Sequence, residues 1–300
     1  MMARRYATPA AFKAALEQRL RSRAAGDGLE LQRRRQLMVY DRFLARVFAE
    51  YDDAVVLKGG LALELRLERA RTTKDVDLRL VGRPDATLRR LQAAGRLDLG
   101  DHFSFVVVPD PRHPEIEAEG MVYEGLRFRV EGRLADKVYG RPFGVDVAFA
   151  EPLAGEPDVL VGEGWLSFAG VLPPRILAYP LETHLAEKLH AYTMPRHRPN
   201  SRVKDLPDLA LLGMVRDIDA ATLRGAIEQT WAHRGTHPVP ASLPEPPVAW
   251  ARPYEEMARA SRLPWATLEE VTEAARGFVE PVLRGHGGRW VVARSEWVLG

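Results

Sequence analysis

Cysteine is absent from the 300 residues. Disulfides, thiolate zinc sites and a cysteine nucleophile are thereby excluded, and any metal is left to oxygen or imidazole ligands. A long uncharged apolar run is also missing, and the basic start MMARRYATPAAFKAALEQRLRSR lacks the apolar region of a secretory signal. A soluble, cytoplasmic protein with no membrane association is the expectation. Nor does one sign of charge dominate, since 43 Lys and Arg face 41 Asp and Glu for a net +2. No global field marks a nucleic-acid binder, so any basic footprint must be local. Internal repeats and low-complexity tracts are lacking too. What remains is a chain with 46% hydrophobic residues, enough for a sizeable core and long enough for two domains or one large one.

Residues 8 to 50 read as helical. Phe12, Leu16 and Leu20 recur at four-residue spacing after Thr8-Pro9, and Leu37, Tyr40, Phe43, Leu44, Val47 and Phe48 follow the break at AAGDG. AVVLKGG is a short apolar segment stopped by Gly59-Gly60. LALELRLER alternates like a strand, yet its Ala, Leu, Glu and Arg favour a helix. KDVDLRLV, HFSFVVVPD, GLRFRVEGRL and FGVDVAFA read as strands, with a helix over 82–100. From about Pro173 the pattern becomes helical: PLETHLAEKLHAYT, KDLPDLALLGMV, DAATLRGAIEQTWAHR, YEEMARAS and LEEVTEAARGFVEPVLRG. The expected boundary falls near 160, where Gly and Pro cluster.

Chemistry concentrates in residues 55–79, VLKGGLALELRLERARTTKDVDLRL. Asp75 and Asp77 are two apart on a strand, so both carboxylates project to one face. Asp146, central in GVDVAF, offers a third carboxylate for one or two Mg²⁺ ions, which bridge nucleotide phosphates and activate an attacking hydroxyl. Gly59-Gly60 at a strand-to-helix turn offers amides to phosphate at the positive end of a helix. The plainer alternative is a turn and a solvated strand face, with Arg71, Lys74 and Arg79 neutralising the acids in a structural network.

Further on, Leu181, Leu185, Leu189 and Tyr192 form a core stripe, and Lys188 lies on a neighbouring edge. From there it can hold triphosphate oxygens as a point charge, or be an ordinary surface lysine. The segment TMPRHRPNSRVK gathers Arg196, Arg198, Arg202 and Lys204 in a loop suited to phosphate or an RNA backbone, with a solvated connection as the alternative. Asp205 and Asp208 start the next helix on one face. Trp231, Trp250, Trp265, Trp290 and Trp297 are scattered and read as core or interface.

The string LKGGxAL, followed by Arg71, Thr73, Asp75, Asp77 and Leu78 as RxTxDxDL, resembles the AbiEii/AbiGii-type, MenT-like nucleotidyltransferase toxins of the polymerase-beta-like superfamily. PLETHLAEKLHAY and RVKDLPDLALL continue the resemblance, with Lys188, Arg202, Lys204, Asp205 and Asp208 at its motif positions. WAHRGTHPVPASLPEPPVAW and FVEPVL extend it over roughly residues 40 to 285. Many members have Ser where this chain has Gly60, so a hydroxyl contact to phosphate is lost while the amides remain.

The resemblance implies an α+β fold: a nucleotidyltransferase domain with a mixed sheet over 1–160 and a mainly helical domain over 161–300 that completes the active-site cleft. It implies a toxin of a type IV toxin–antitoxin system that moves an NMP from an NTP onto RNA, most plausibly a tRNA 3′ end, blocking translation. A cognate antitoxin encoded nearby would relieve it. Asp75, Asp77 and Asp146 would hold Mg²⁺; Lys58, Gly59, Gly60, Arg71, Thr73 and Lys188 would hold the nucleotide; Arg196, Arg198, Arg202 and Lys204 would meet the RNA. Asp205 or Asp208 would take part in catalysis or position Lys188. Two alternatives stand beside it: transfer to a protein or small-molecule hydroxyl, and a non-catalytic RNA- or partner-binding module.

Overall fold

Helix α1 (Pro9–Arg23) begins where the Thr8 hydroxyl accepts the Ala11 amide and Pro9 fills a position that needs no N–H. Helix α2 (Gly28–Tyr51) is capped by Asp27, whose carboxylate accepts the amides of Leu29 and Glu30. The computed structural model describes residues 6, 8–67, 73–116, 125–149, 153–195 and 202–299. In it, Phe12, Leu16 and Leu20 of α1 and Tyr40, Phe43, Leu44 and Val47 of α2 are buried in one cluster with the strands.

Those strands and their helices follow in order: β1 (Val55–Lys58), α3 (Gly59–Arg66), β2 (Asp75–Leu80), α4 (Thr87–Arg96), β3 (Phe103–Pro109), β4 (Glu115–Ile116), β5 (Gly125–Leu134), β6 (Lys137–Val138), β7 (Phe143–Phe149), β8 (Asp158–Val161) and β9 (Arg175–Ala178). The main sheet runs β3-β5-β7-β2-β1-β9-β8, with β4 and β6 also paired to β5. Strands β2 and β7 are parallel, as are β1 and β9, while the other neighbours are antiparallel. The sheet is therefore mixed, and the helical reading of LALELR holds in α3.

The rest of the chain supplies α5 (Leu181–Thr193), α6 (Asp205–Leu212), β10 (Ile218–Asp219), α7 (Ala220–Arg234), α8 (Ala251–Ser261), α9 (Leu268–Leu283), β11 (Arg289–Val291) and β12 (Glu296–Val298). Leu181, Leu185, Leu189 and Tyr192 of α5 are buried with Leu206, Leu209, Leu223, Ile227, Val271 and Phe278 in a second cluster. Trp231, Trp250 and Trp290 belong to that cluster, and Trp265 and Trp297 pack against it. Helix α3 serves both cores: Leu61 and Ala62 face the first and Leu63 the second.

Two features were not expected from the sequence. The sheet continues through β8 and β9 to Ala178, past the expected boundary at 160, and a small sheet β10-β11-β12 closes the C-terminal part. Four-residue strands such as DVLV and RILA are too short for periodicity to reveal; pairing of β9 to β1 and of β8 to β9 makes them strands.

Candidate functional site

Lys58 ends β1 directly opposite Asp77 on β2, Asp77 is opposite Asp146 on β7, and Asp146 is opposite Arg127 on β5. Residues paired across strands share one face of a sheet. Four neighbouring strands thus line up cation, acid, acid, cation in a single row, each residue half-buried. Two residues along, Asp75 faces Gly144, and Gly144 faces Arg129. Asp75 and Arg129 are exposed at the open side of this face.

Each acid of the pair fills space that a glycine vacates. Gly59, at φ +69°, opens α3, and a Cβ placed on it would lie 1.9 Å from Asp77 Oδ2. A Cβ on Gly144 would lie 2.6 Å from Asp75 Oδ1. Gly59 is needed twice over, because its backbone sits in the left-handed region and the acid occupies its side-chain volume. The carboxyl of Asp77 is thereby held against the first turn of α3, where helix amides are unpaired within the helix. Burial pushes Asp77 up to about 6; Lys58 and Lys188 oppose that shift, while Asp146 and Asp75 add to it.

Asp146 is held differently. Arg127 donates from Nε to Asp146 Oδ1 at 2.7 Å and from an η nitrogen to Oδ2 at 2.6 Å, a two-point grip on the whole carboxylate. Among the described residues, no three Asp, Glu or His side chains converge as a ready metal cage. The donor chemistry nevertheless suits a hard divalent cation: three carboxylates stand on two adjacent strands, and the two glycines give Asp75 and Asp77 their room.

Lys188, expected to reach toward a ligand anion, meets two acids of its own chain. Its Nζ lies 3.0 Å from Asp205 Oδ1 and 2.8 Å from Asp208 Oδ2. Asp205 and Asp208 occupy the first turn of α6, three residues apart and both buried. Arg202 also approaches Asp205, at 3.5 Å, and Lys204 is exposed where α6 begins. Lys188 still lies near enough to Asp77 to lower its pKa, so α5 presents this lysine toward the sheet's acidic row.

Thr73 is buried, its amide donating to Glu64 Oε2 and its hydroxyl to the Asp75 carbonyl. In this structure that hydroxyl shapes the approach to β2. Arg71, Arg196 and Arg198 lie outside the described residues. Arg127, Gly144 and Glu64 were not singled out by the sequence reading. A lone glycine inside a strand signals a close approach by a neighbour, so FGVDV carried a readable hint; Arg127 did not, because strand neighbours are a property of the fold.

Structural comparison gives the same fold. MenT4, a nucleotidyltransferase toxin from Mycobacterium tuberculosis H37Rv, matches with a TM-score of 0.52 at 18% identity, over 87% of this chain and 93% of that one. JHP933 from Helicobacter pylori matches over 83% of this chain and 89% of that one, at 14% identity and a TM-score of 0.41. A comparison with curated proteins found no match. The profile of the family described as "Nucleotidyl transferase AbiEii toxin, Type IV TA system" matches residues 42–275. That span contains the glycine turn, all three strand-borne acids and the Lys188 cluster, and the chain belongs to the AbiEii nucleotidyltransferase toxin family of type IV toxin–antitoxin systems.

Proposed function

We propose that the chain transfers a nucleoside monophosphate from an NTP to a hydroxyl of RNA, at a tRNA 3′ end, and so blocks translation in the cytoplasm until an antitoxin encoded nearby relieves it. The observation that carries this reading is the acidic row backed by glycines: Asp77 and Asp146 in register, Asp75 beside them, and Gly59 and Gly144 leaving the space that Asp77 and Asp75 enter. Such crowding of like charge is unfavourable unless a cation meets it.

Asp75, Asp77 and Asp146 would hold a divalent cation, Mg²⁺ in our reading, which supplies charge neutralisation at the phosphates and a lower pKa for the attacking hydroxyl. The chain does the rest. Gly59 and Gly60 present backbone amides at the start of α3, and Lys58 stands beside Asp77 as a cation for the triphosphate. Asp205 and Asp208 hold Lys188 in place on α5. Arg202 and Lys204, both exposed, continue the basic segment that includes Arg196 and Arg198 and would take the phosphates of the acceptor.

The test is incubation with each labelled NTP, Mg²⁺ and total RNA, followed by location of the label. Label at the 3′ end of RNA of tRNA size, dependent on Asp75, is the expected result. Label on protein or on a small molecule alone overturns the choice of acceptor, and no transfer from any NTP to any acceptor overturns the enzymatic reading.

A further inference from the structure

Asp146 cannot serve a divalent cation and Arg127 on equal terms. Both its oxygens accept from the guanidinium, at 2.7 and 2.6 Å. A cation using their remaining lone pairs would sit within a few ångströms of a fixed positive charge. Arg127 is on β5, Asp146 on β7 and Asp77 on β2, in one register row, so the two competitors for Asp146 approach it from opposite sides. The pair is not a structural necessity, because 36% of the Arg127 side chain and 22% of the Asp146 side chain are exposed, and β5 and β7 are joined by their own ladder.

We propose that Arg127 is an internal counter-ion that Asp146 exchanges for the divalent cation, so that Arg127 sets how readily the acidic row loads. This rests on the metal-binding role given above to Asp75, Asp77 and Asp146. A cation at Asp75 and Asp77 gains Asp146 only when the guanidinium lets go. Arg127 is then a positioning residue: it acts on the reaction through Asp146. Its long side chain, half-exposed on the same face as Arg129, has open space toward solvent into which to turn, where the phosphates of a substrate would be a new partner.

The experiment is a titration with Mn²⁺ alone, followed by electron paramagnetic resonance, on the full chain and on Arg127→Gln, Arg127→Lys and Asp75→Asn, with thermal unfolding recorded for each. Arg127→Gln should bind Mn²⁺ about tenfold more tightly, as expected when a unit charge a few ångströms from a divalent ion is removed. Arg127→Lys, which keeps the charge, should stay near the unaltered protein. Unchanged or weaker Mn²⁺ binding in a folded Arg127→Gln overturns the exchange. If that variant does not fold, Arg127→Lys binding as weakly as the parent supports the charge-based account, and binding about tenfold tighter overturns it. Asp75→Asn separates the two layers: should it leave Mn²⁺ binding intact, the metal role of the acidic row is what fails.

Discussion

Gly59 and Asp77 share one volume: the position of a Gly59 Cβ lies 1.9 Å from Asp77 Oδ2 and 2.6 Å from its Cγ. The glycine that opens α3 and the acid on the strand that follows are thus one device. Gly59→Ala should displace the Asp77 carboxyl and force a side chain into the left-handed region, which alone costs about 1–2 kcal/mol. We expect nucleotide transfer to fall by more than tenfold, measured with a labelled NTP, together with a lower unfolding temperature. Transfer close to that of the parent would show that Asp77 does not need its place against α3.

Gly144→Ala tests the other acid without backbone strain, since no positive φ is involved there. Its Cβ would press on Asp75 Oδ1 at 2.6 Å, and Asp75 is exposed and free to swing outward. The fold should survive and metal-dependent transfer should drop. Unfolding scans paired with transfer assays distinguish this outcome from a general loss of stability.

Lys188→Ala should harm folding as well as transfer, a different expectation from that of a lysine free to face a ligand. Removing it leaves Asp205 and Asp208, 3% and 0% exposed at their side chains, facing each other without their shared cation. Breaking such a buried arrangement costs about 3–5 kcal/mol. Adding Asp205→Asn and Asp208→Asn to Lys188→Met should recover much of that stability in urea unfolding, while transfer stays lost. A Lys188→Ala protein as stable as the parent would contradict the buried-pair account.

Stability without metal should fall as pH rises between about 4 and 6. In the folded state Asp77 is raised to about 6 from an ordinary 3.8, chiefly by burial. Across that interval the folded chain keeps a proton the unfolded chain has released, so the neutral form's contribution is present at low pH and gone above 6. Asp41, also raised to about 6 by burial, acts in the same sense. Asp77→Asn should therefore flatten part of the pH dependence and raise the metal-free unfolding temperature near pH 7.5, with Asp41→Asn flattening a separate part. A slope unchanged by Asp77→Asn would place its carboxyl in a more polar setting.

Reversing Arg196, Arg198 and Arg202 to Glu should weaken RNA binding and lower the slope of log affinity against log salt by about two on a single-stranded 3′ end, the counterions of up to three phosphates no longer being released. NTP binding without RNA should change less. An unaltered salt slope would move the acceptor surface elsewhere, for instance to Arg19, Arg21 and Arg23 on α1.

The amino-acid sequence by itself determined the helices and the longer strands. Thr8-Pro9 starts α1, Asp219 caps α7, and the Thr267 and Glu270 capping box starts α9. The alternation of DVDLRL made β2 and put Asp75 and Asp77 on one face. These follow from interactions within a few residues of the chain, which is why periodicity and caps suffice to read them. The neighbour of each strand was a tertiary decision. Nothing in GLRFRVEGRL says that Arg127 will stand beside Asp146, nor in FGVDVAF that Gly144 will make way for Asp75, because register is settled by packing the faces of the whole sheet, in which β7 pairs with the distant β2 on one side and with β5 on the other. Lys188 was legible as a cation on the edge of a core helix. That it is held by Asp205 and Asp208 was decided when α5 and α6 closed the second core around Leu185, Leu189, Leu206 and Leu209, which brought the lysine between two buried acids.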